Sequence, residues 1–190
     1  MPRLFTALEI PDDVRRAISG MRGGLPGARW IDPENYHVTL RFIGDVDDIT
    51  AREAAFILGQ IRRESFEIKF ATLSSFGGNR PRAIVALVAP TPALTELQAE
   101  HERMMRRIGL APEGRKFTPH VTLARLRHAS SFDVADYFSM RGHFRAPVFE
   151  PERFVLFSSR DSVGGGPYVV EADYPFLDAA PHRRLAGGGI

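Results

Sequence analysis

The residues of this sequence best suited to chemistry occur in two copies of one tetrapeptide. His-Val-Thr-Leu stands at residues 37–40 and again at residues 120–123 of the 190-residue chain. Its β-branched and apolar residues are typical of a strand. Because successive side chains of a strand point to opposite faces, His and Thr share one face and Val and Leu the other. Each copy therefore predicts a half-buried strand whose polar face carries an imidazole and a hydroxyl.

Two such strands facing one cleft would bring together the groups needed for acid–base catalysis. A near-neutral pKa lets one imidazole hold a proton while the other lacks one, as concerted general acid–base catalysis requires. Thr39 and Thr122 are poor nucleophiles without a dedicated base, but their hydroxyls suit hydrogen bonding to an oxyanion. We therefore expect His37 and His120 to support in-line attack on a phosphodiester.

A metal centre is the alternative interpretation of paired histidines, and the spacing disfavours it. Each motif offers one ligand, without the second histidine or adjacent carboxylate that metal sites usually include. We predict no metal and no cofactor. The sequence has no cysteine, which excludes disulfides and thiol nucleophiles. The remaining histidines are predicted to be surface residues: His101 on the exposed side of a helix, His128, His143 and His182.

Composition is that of an ordinary globular protein. Hydrophobic residues make up 44% of the chain and the net charge is +2, too small to indicate nucleic-acid binding by itself. We find neither a signal-peptide pattern nor an apolar run long enough to cross a bilayer. We expect a cytoplasmic, monomeric protein with no membrane partner. Residues 1–178 are predicted to form a single domain of two lobes, and residues 179–190 a frayed tail.

The order of predicted elements indicates an α+β fold with mostly antiparallel sheets, because short strands and helices mix without strict βαβ alternation. The recurring histidine strand suggests two similar lobes that face each other. Strands are predicted near residues 4–10, 29–31, 37–43, 66–76, 82–88 and from 120, with further extended segments at 144–148, 154–158 and 168–172. Helices are predicted near residues 12–21, 49–63, 93–108 and 132–140.

At these motifs the sequence resembles the 2H phosphoesterase superfamily, and within it the RNA 2′,3′-cyclic phosphodiesterases, long called 2′-5′ RNA ligases. The most specific stretch is Phe-Thr-Pro-His-Val-Thr-Leu-Ala-Arg at residues 117–125, and the first motif extends over residues 37–44. The resemblance covers most of the chain. It also includes residues 3–7, Trp30, Phe76-Gly77, residues 156–160 and the Gly-rich turn before Tyr168.

The resemblance implies a bilobal α+β fold with pseudo-two-fold symmetry, in which two antiparallel sheets face a central cleft and helices pack outside. It implies metal-independent hydrolysis of RNA 2′,3′-cyclic phosphate ends to 2′-phosphomonoesters, with 2′-5′ joining of RNA as a side activity. By analogy, His37 donates a proton to the departing 3′ oxygen and His120 accepts one from the attacking water. Thr39 and Thr122 would bind phosphate oxygens.

Arg125 and Phe5 are further candidates for substrate binding. The family pattern places Arg125 near the phosphate, whereas strict alternation places it on the face opposite His120. A β-bulge or a strand end would reconcile the two. By alternation alone Arg41 is the better candidate, because it would share the face of His37. Phe5 could stack on a nucleobase, and a position in the core is the alternative.

Two other functions stay open at this point. The same cleft could hold nucleotides or RNA ends without turnover, as a binding module. An enzyme of the same superfamily could instead act on small cyclic nucleotides or 2′-5′ oligoadenylates. We expect the loops after Gly77 and Gly164 to set the choice of substrate.

Overall fold

The computed structural model describes residues 3–141, 143–159 and 166–178. Within these ranges the chain forms eight strands: β1 (Arg3–Glu9), β2 (Ala28–Trp30), β3 (His37–Asp45), β4 (Phe70–Phe76), β5 (Ala83–Val88), β6 (His120–Leu126), β7 (Arg153–Ser159) and β8 (Tyr168–Pro175). It also forms four α-helices: α1 (Asp12–Ser19), α2 (Asp48–Leu58), α3 (Pro92–Arg107) and α4 (Ser131–Met140). The predicted tail at residues 179–190 lies outside the described residues. So does the beginning of the predicted substrate loop, at Gly164 and Gly165.

The described strands form a sheet in the order β4-β5-β6-β3-β1-β7-β8, with β2 also on β6. Each pairing between neighbouring strands is antiparallel. The α+β, mostly antiparallel architecture is therefore confirmed. β3 and β6 meet at a single residue pair, Val38 and Val121. This narrow junction joins two half-sheets, each of which carries one of the histidine motifs.

The registers of the two half-sheets correspond residue by residue. β3 pairs with β1 and β1 with β7, as β6 pairs with β5 and β5 with β4. In the first half Thr39 lies opposite Ala7 but Arg41 lies opposite Thr6, which makes Leu40 an extra residue. In the second half the register shifts at the same place, between Thr122 and Ala124. Each motif strand therefore contains a β-bulge directly after its threonine.

One face of the sheet packs against the helices. Val38 and Val121 are fully buried, and they belong to one hydrophobic core with helix residues such as Leu94 and Val134. The histidines and threonines are half-buried on the other face of the same strands. Alternation along each motif thus places apolar residues in the core and polar residues above it, as predicted.

Several element boundaries differ from the predictions. α2 ends at Leu58 instead of continuing to residue 63, because Gly59 follows and the next hydrogen bonds are tighter ones from Gln60 to Ile57 and from Ile61 to Leu58. The strand predicted over residues 66–76 begins only at Phe70. Its first part instead exchanges two backbone hydrogen bonds between Ile68 and Phe149.

The prediction that His101 is exposed was wrong. Its side chain is fully buried, with Nδ1 2.8 Å from the carbonyl oxygen of Leu97 and its ring 4.6 Å from that of Phe154. Burial lowers its pKa to about 4. Leu94, Leu97 and Met105 are the other buried residues of α3, and His101 continues their spacing of three or four residues. That spacing was a signal for burial in the sequence.

Candidate active site

A cleft of about 460 Å³ lies over the junction between β3 and β6. His37, Thr39, His120 and Thr122 all line it. The two motifs, distant in sequence, therefore face one shared space from neighbouring strands. Other residues that line the cleft are Ile31, Asn35, Leu40, Arg41, Phe42, Phe76, Ala83, Gln98, Glu113, Arg115, Lys116, Phe117, Thr118, Arg125 and Tyr168.

The same local contact orients both imidazole rings. Nδ1 of His37 lies 2.8 Å from the carbonyl oxygen of Asn35, and Nδ1 of His120 lies 2.6 Å from that of Thr118. Because a carbonyl oxygen can only accept a hydrogen bond, we assign the proton to Nδ1 in each ring. In each neutral ring Nε2 then keeps its lone pair for the substrate.

The segments that supply these carbonyls differ. Asn35 ends a 3₁₀-helix (Pro33–Asn35), which begins where the Asp32 side chain accepts a hydrogen bond from the backbone N–H of Glu34. Thr118 belongs to the irregular segment between α3 and β6. In both cases the carbonyl stands two residues before the histidine, so the turn into the strand fixes the ring.

The cleft favours neutral imidazoles in the free protein. Burial lowers the pKa of His37 to about 4, and the positive charges of His120 and Arg125 act in the same direction, against the opposing effect of the Asn35 carbonyl. Burial also lowers the pKa of His120. Both Nε2 atoms are therefore proton acceptors at neutral pH until an anion enters between them.

The bulge after Thr122 turns Arg125 toward the site. Residues 123 and 124 are both buried, and Arg125 is exposed and lines the cleft. Strict alternation would have put it on the helix side of the sheet. The structure thus contains the bulge that reconciles the family pattern with strand geometry, and it brings Arg125 into the same space as His120 and Thr122.

The equivalent bulge after Thr39 turns Arg41 away from the site face. The prediction from alternation that Arg41 shares the strand face of His37 was therefore wrong, although Arg41 is among the residues that line the cleft. Arg41 is 5% exposed, and its guanidinium donates to the carbonyl oxygens of Phe42 and Ala111. Its Nε lies 2.5 Å from Oε2 of Glu102, an ion pair without the alignment of a hydrogen bond.

Phe5 packs against a catalytic candidate. Its side chain is 5% exposed, and its ring centroid lies 5.0 Å from that of His37. Phe157 and Tyr168 also contact the His37 ring, at 6.0 and 5.1 Å. This position favours the core alternative, in which Phe5 supports the imidazole. Stacking of Phe5 on a nucleobase stays a prediction, and the small exposed area of the ring gives it little support.

The two halves of the site differ at positions that correspond in register. Phe5 lies opposite Phe42 in the first half, where Ala83 lies opposite Arg125 in the second. Phe5 contacts His37 at the position where the second half has Ala83, while the ring of Phe76 contacts His120 at 4.7 Å. Phe42 stands where the second half has the guanidinium of Arg125. The His120 side is consequently more cationic. Sequence reasoning missed this asymmetry because it depends on the strand registers.

Within the described ranges, no three histidine, aspartate or glutamate side chains converge in a way that could hold a metal ion. The helices of those ranges are all too short or too polar to span a bilayer.

The fold and the paired motifs define an α+β protein with two histidines at one cleft. A sequence model of LigT-like phosphoesterases matches the chain twice, over residues 8–86 and 85–168. The chain belongs to the LigT-like phosphoesterase family. Each match contains one His-x-Thr motif.

Curated relatives carry the name RNA 2′,3′-cyclic phosphodiesterase. The protein of Aeropyrum pernix is 39% identical over 108 residues, which cover 56% of this chain and 61% of that protein. The protein of Aquifex aeolicus is 30% identical over 77% of this chain and 80% of its own length. That of Geobacillus stearothermophilus is 30% identical over 97% of this chain but only 60% of its own length. The matched region thus spans about three fifths of two of these three proteins.

Solved structures share the fold. Escherichia coli LigT, crystallised with 3′-AMP, has a TM-score of 0.73 at 24% identity and covers 93% of this chain and 99% of that one. Thermus thermophilus TT0787 has a TM-score of 0.75 at 20% identity, over 92% of this chain and 97% of that one. Both similarities confirm the architecture.

Proposed function

We propose that this protein hydrolyses the 2′,3′-cyclic phosphate ends of RNA to 2′-phosphomonoesters without a metal. One observation carries the proposal: His37 and His120 enter a single cleft from adjacent strands, each with Nδ1 on a backbone carbonyl and Nε2 left for the substrate. The relatives named RNA 2′,3′-cyclic phosphodiesterase support this choice of substrate. The structure of E. coli LigT with 3′-AMP further supports a nucleotide ligand.

The reaction requires one proton acceptor and one proton donor on opposite sides of the phosphorus. Nε2 of His120 accepts a proton from a water molecule, whose oxygen forms the new bond to phosphorus. The bond between phosphorus and the 3′ oxygen breaks in line, and Nε2–H of His37 donates its proton to that oxygen. The product keeps the phosphate on the 2′ oxygen. Proton exchange with solvent then resets both rings.

Three further side chains suit the non-bridging oxygens of the phosphate. The hydroxyls of Thr39 and Thr122 lie on the site face of β3 and β6 and line the cleft. The exposed guanidinium of Arg125 supplies a positive charge to the same space. Donors held in place before the substrate arrives stabilise charge that grows in the transition state.

The assay uses an RNA oligonucleotide with a 2′,3′-cyclic phosphate end, in excess chelator, with separation of 2′- and 3′-phosphate products. We expect the 2′-phosphate alone. His37→Ala and His120→Ala should each lower the rate by at least about 100-fold, the scale of general acid–base catalysis. His143→Ala, outside the cleft, is the matched control and should keep the full rate.

Full activity in either cleft variant would exclude the acid–base pair. Tight binding of a 2′-phosphate oligonucleotide, with no turnover of any cyclic phosphate, would instead indicate a binding module. Faster turnover of small cyclic nucleotides than of RNA ends, measured as kcat/KM, would move the substrate away from RNA.

A further inference from the structure

The α3–β6 segment, residues 111–119, forms part of the cleft wall. It contributes Glu113, Lys116 and Phe117 to the lining, and its Thr118 carbonyl holds Nδ1 of His120 at 2.6 Å. It contains neither a helix nor a strand over these nine residues. Its shape, and with it the position of the Thr118 carbonyl, therefore depends on contacts with the rest of the fold.

Arg41 and Glu102 supply two of those contacts. Arg41 Nη2 of β3 donates to the carbonyl oxygen of Ala111 at 2.6 Å. Oε1 of Glu102, on α3, accepts a hydrogen bond from the backbone N–H of Glu113 at 3.2 Å. The other carboxylate oxygen of Glu102 lies 2.5 Å from Nε of Arg41. One ion pair thus holds the beginning of the segment at two nearby points.

This arrangement exists in one half of the molecule. Arg41 lies opposite Thr6 across the bulge of the first motif, and the residue in the corresponding register position of the second half is Ala124. A methyl group at that position makes no such contact. Arg41, in the half-sheet of His37, therefore contacts the segment that precedes His120.

We propose that Arg41 and Glu102 are a positioning pair, which fixes the α3–β6 segment as the cleft wall and thereby orients the ring of His120. Neither residue is assigned a proton-transfer role. Arg41 lies on the strand of the first motif, and through the α3–β6 segment the pair orients the histidine of the second motif. Its effect on turnover rests on the proposed function, whereas its effect on the His120 ring does not.

A purely structural role is the competing explanation. A buried ion pair often adds little net stability, but loss of one partner leaves an uncompensated charge. A control ion pair joins the same helix, α3, to the segment after α2. Arg63 pairs with Glu96 at 3.2 Å and with Glu100, and none of these three residues lines the cleft. Arg63→Gln removes an ion pair of α3 and leaves the segment untouched.

The experiment compares Arg41→Gln, Glu102→Gln and Arg63→Gln in the full chain. Imidazole NMR titrations follow His37 and His120 separately, thermal unfolding reports stability, and steady-state kinetics on the cyclic-phosphate oligonucleotide separate kcat from KM. We expect the pKa of His120 to rise toward its ordinary value in Arg41→Gln and in Glu102→Gln, because the loosened wall exposes the ring. Titration of His37 should change less.

We expect kcat/KM to fall about 10- to 100-fold in Arg41→Gln and in Glu102→Gln, mainly through kcat, because a small misplacement of the His120 ring is costly for catalysis. The double variant should be no worse than either single one, since both remove the same restraint. Arg63→Gln should lose thermal stability and keep wild-type titration and kcat.

Three results would decide against the pair. These are a wild-type His120 titration in folded Arg41→Gln, additive losses in the double variant, or the same titration shift in Arg63→Gln. If Arg41→Gln does not fold, Arg41→Met with Glu102→Leu removes both charges together, which buried pairs tolerate, and carries the same measurement. If the wild type shows no turnover, the proposed function fails while the titration still tests the positioning pair.

Discussion

Protonation of His37 should depend on the substrate. The pKa of its buried ring falls from the ordinary 6.5 to about 4, which corresponds to about 3 kcal/mol against charging it. At pH 7 only about one free molecule in a thousand would then hold the proton that a general acid needs. The free site is therefore poorly prepared to donate.

The phosphate itself supplies the missing stabilisation. A single negative charge about 4 Å from the imidazolium is worth about 4 kcal/mol at an effective dielectric constant near 20. Protonating a ring of pKa about 4 at pH 7 costs about 4 kcal/mol. The anion matches this cost, so an anion in the cleft should restore protonation of His37 near neutral pH. The acid would form as the substrate binds.

A histidine NMR titration with and without a 2′-phosphate nucleotide measures this directly. We expect His37 to titrate near pH 4 in the free protein and at least about two pH units higher in the complex. Affinity for the ligand should rise as pH falls below the pKa of His37 in the complex toward its pKa in the free protein, since proton and anion binding are linked. His143, outside the cleft, serves as the internal control.

A free-protein midpoint near 6.5 would refute the role given to burial. A midpoint that the ligand leaves near 4 would refute His37 as the proton donor, because the ring would stay neutral throughout turnover.

Three further predictions concern other residues. Arg125→Gln should lower kcat/KM about 10- to 100-fold, the scale of a lost charge-assisted hydrogen bond. The exposed neighbour Arg127→Gln should keep the wild-type value. Equal kinetics of the two variants would show that Arg125 does not bind the substrate. Thr39→Val and Thr122→Val keep strand propensity and lose the hydroxyl, so each should cost about tenfold in kcat/KM with an unchanged melting temperature. His101 is buried with its pKa lowered to about 4, so the free energy of unfolding should fall by about 1.4 kcal/mol per pH unit as pH falls from 6.5 toward 4, and should be unaffected by His101 above pH 6.5. Urea unfolding of His101→Phe should therefore show a smaller loss of stability in acid. A pH dependence equal to that of the wild type would contradict the burial of a neutral His101.

Much of the site could be predicted from the sequence because its signal is local. The alternation in each His-Val-Thr-Leu segment fixes which side chains share a face, whatever the rest of the chain does. His37, Thr39, His120 and Thr122 are therefore all found on the face that the pattern indicates.

Features beyond the bulges could not be predicted in the same way. One extra residue in each motif strand reverses the alternation that follows, which exposes Arg125 and buries Arg41. A bulge is visible only in the pairing with the neighbouring strand. The partners of Arg41 lie on α3 and in the segment after it, so its buried ion pair depends on tertiary packing. The burial of His101 was different, since its helical spacing was present in the sequence.

The single rung between Val38 and Val121 has a consequence for how the molecule tolerates change. Each valine is flanked by its catalytic candidate, His37 or His120, so the span between the imidazoles is set at the centre of the sheet. Insertions in the outer hairpins should leave that span unaltered. The periphery can therefore diverge to suit different substrates, while the separation that the chemistry needs is inherited from one backbone contact.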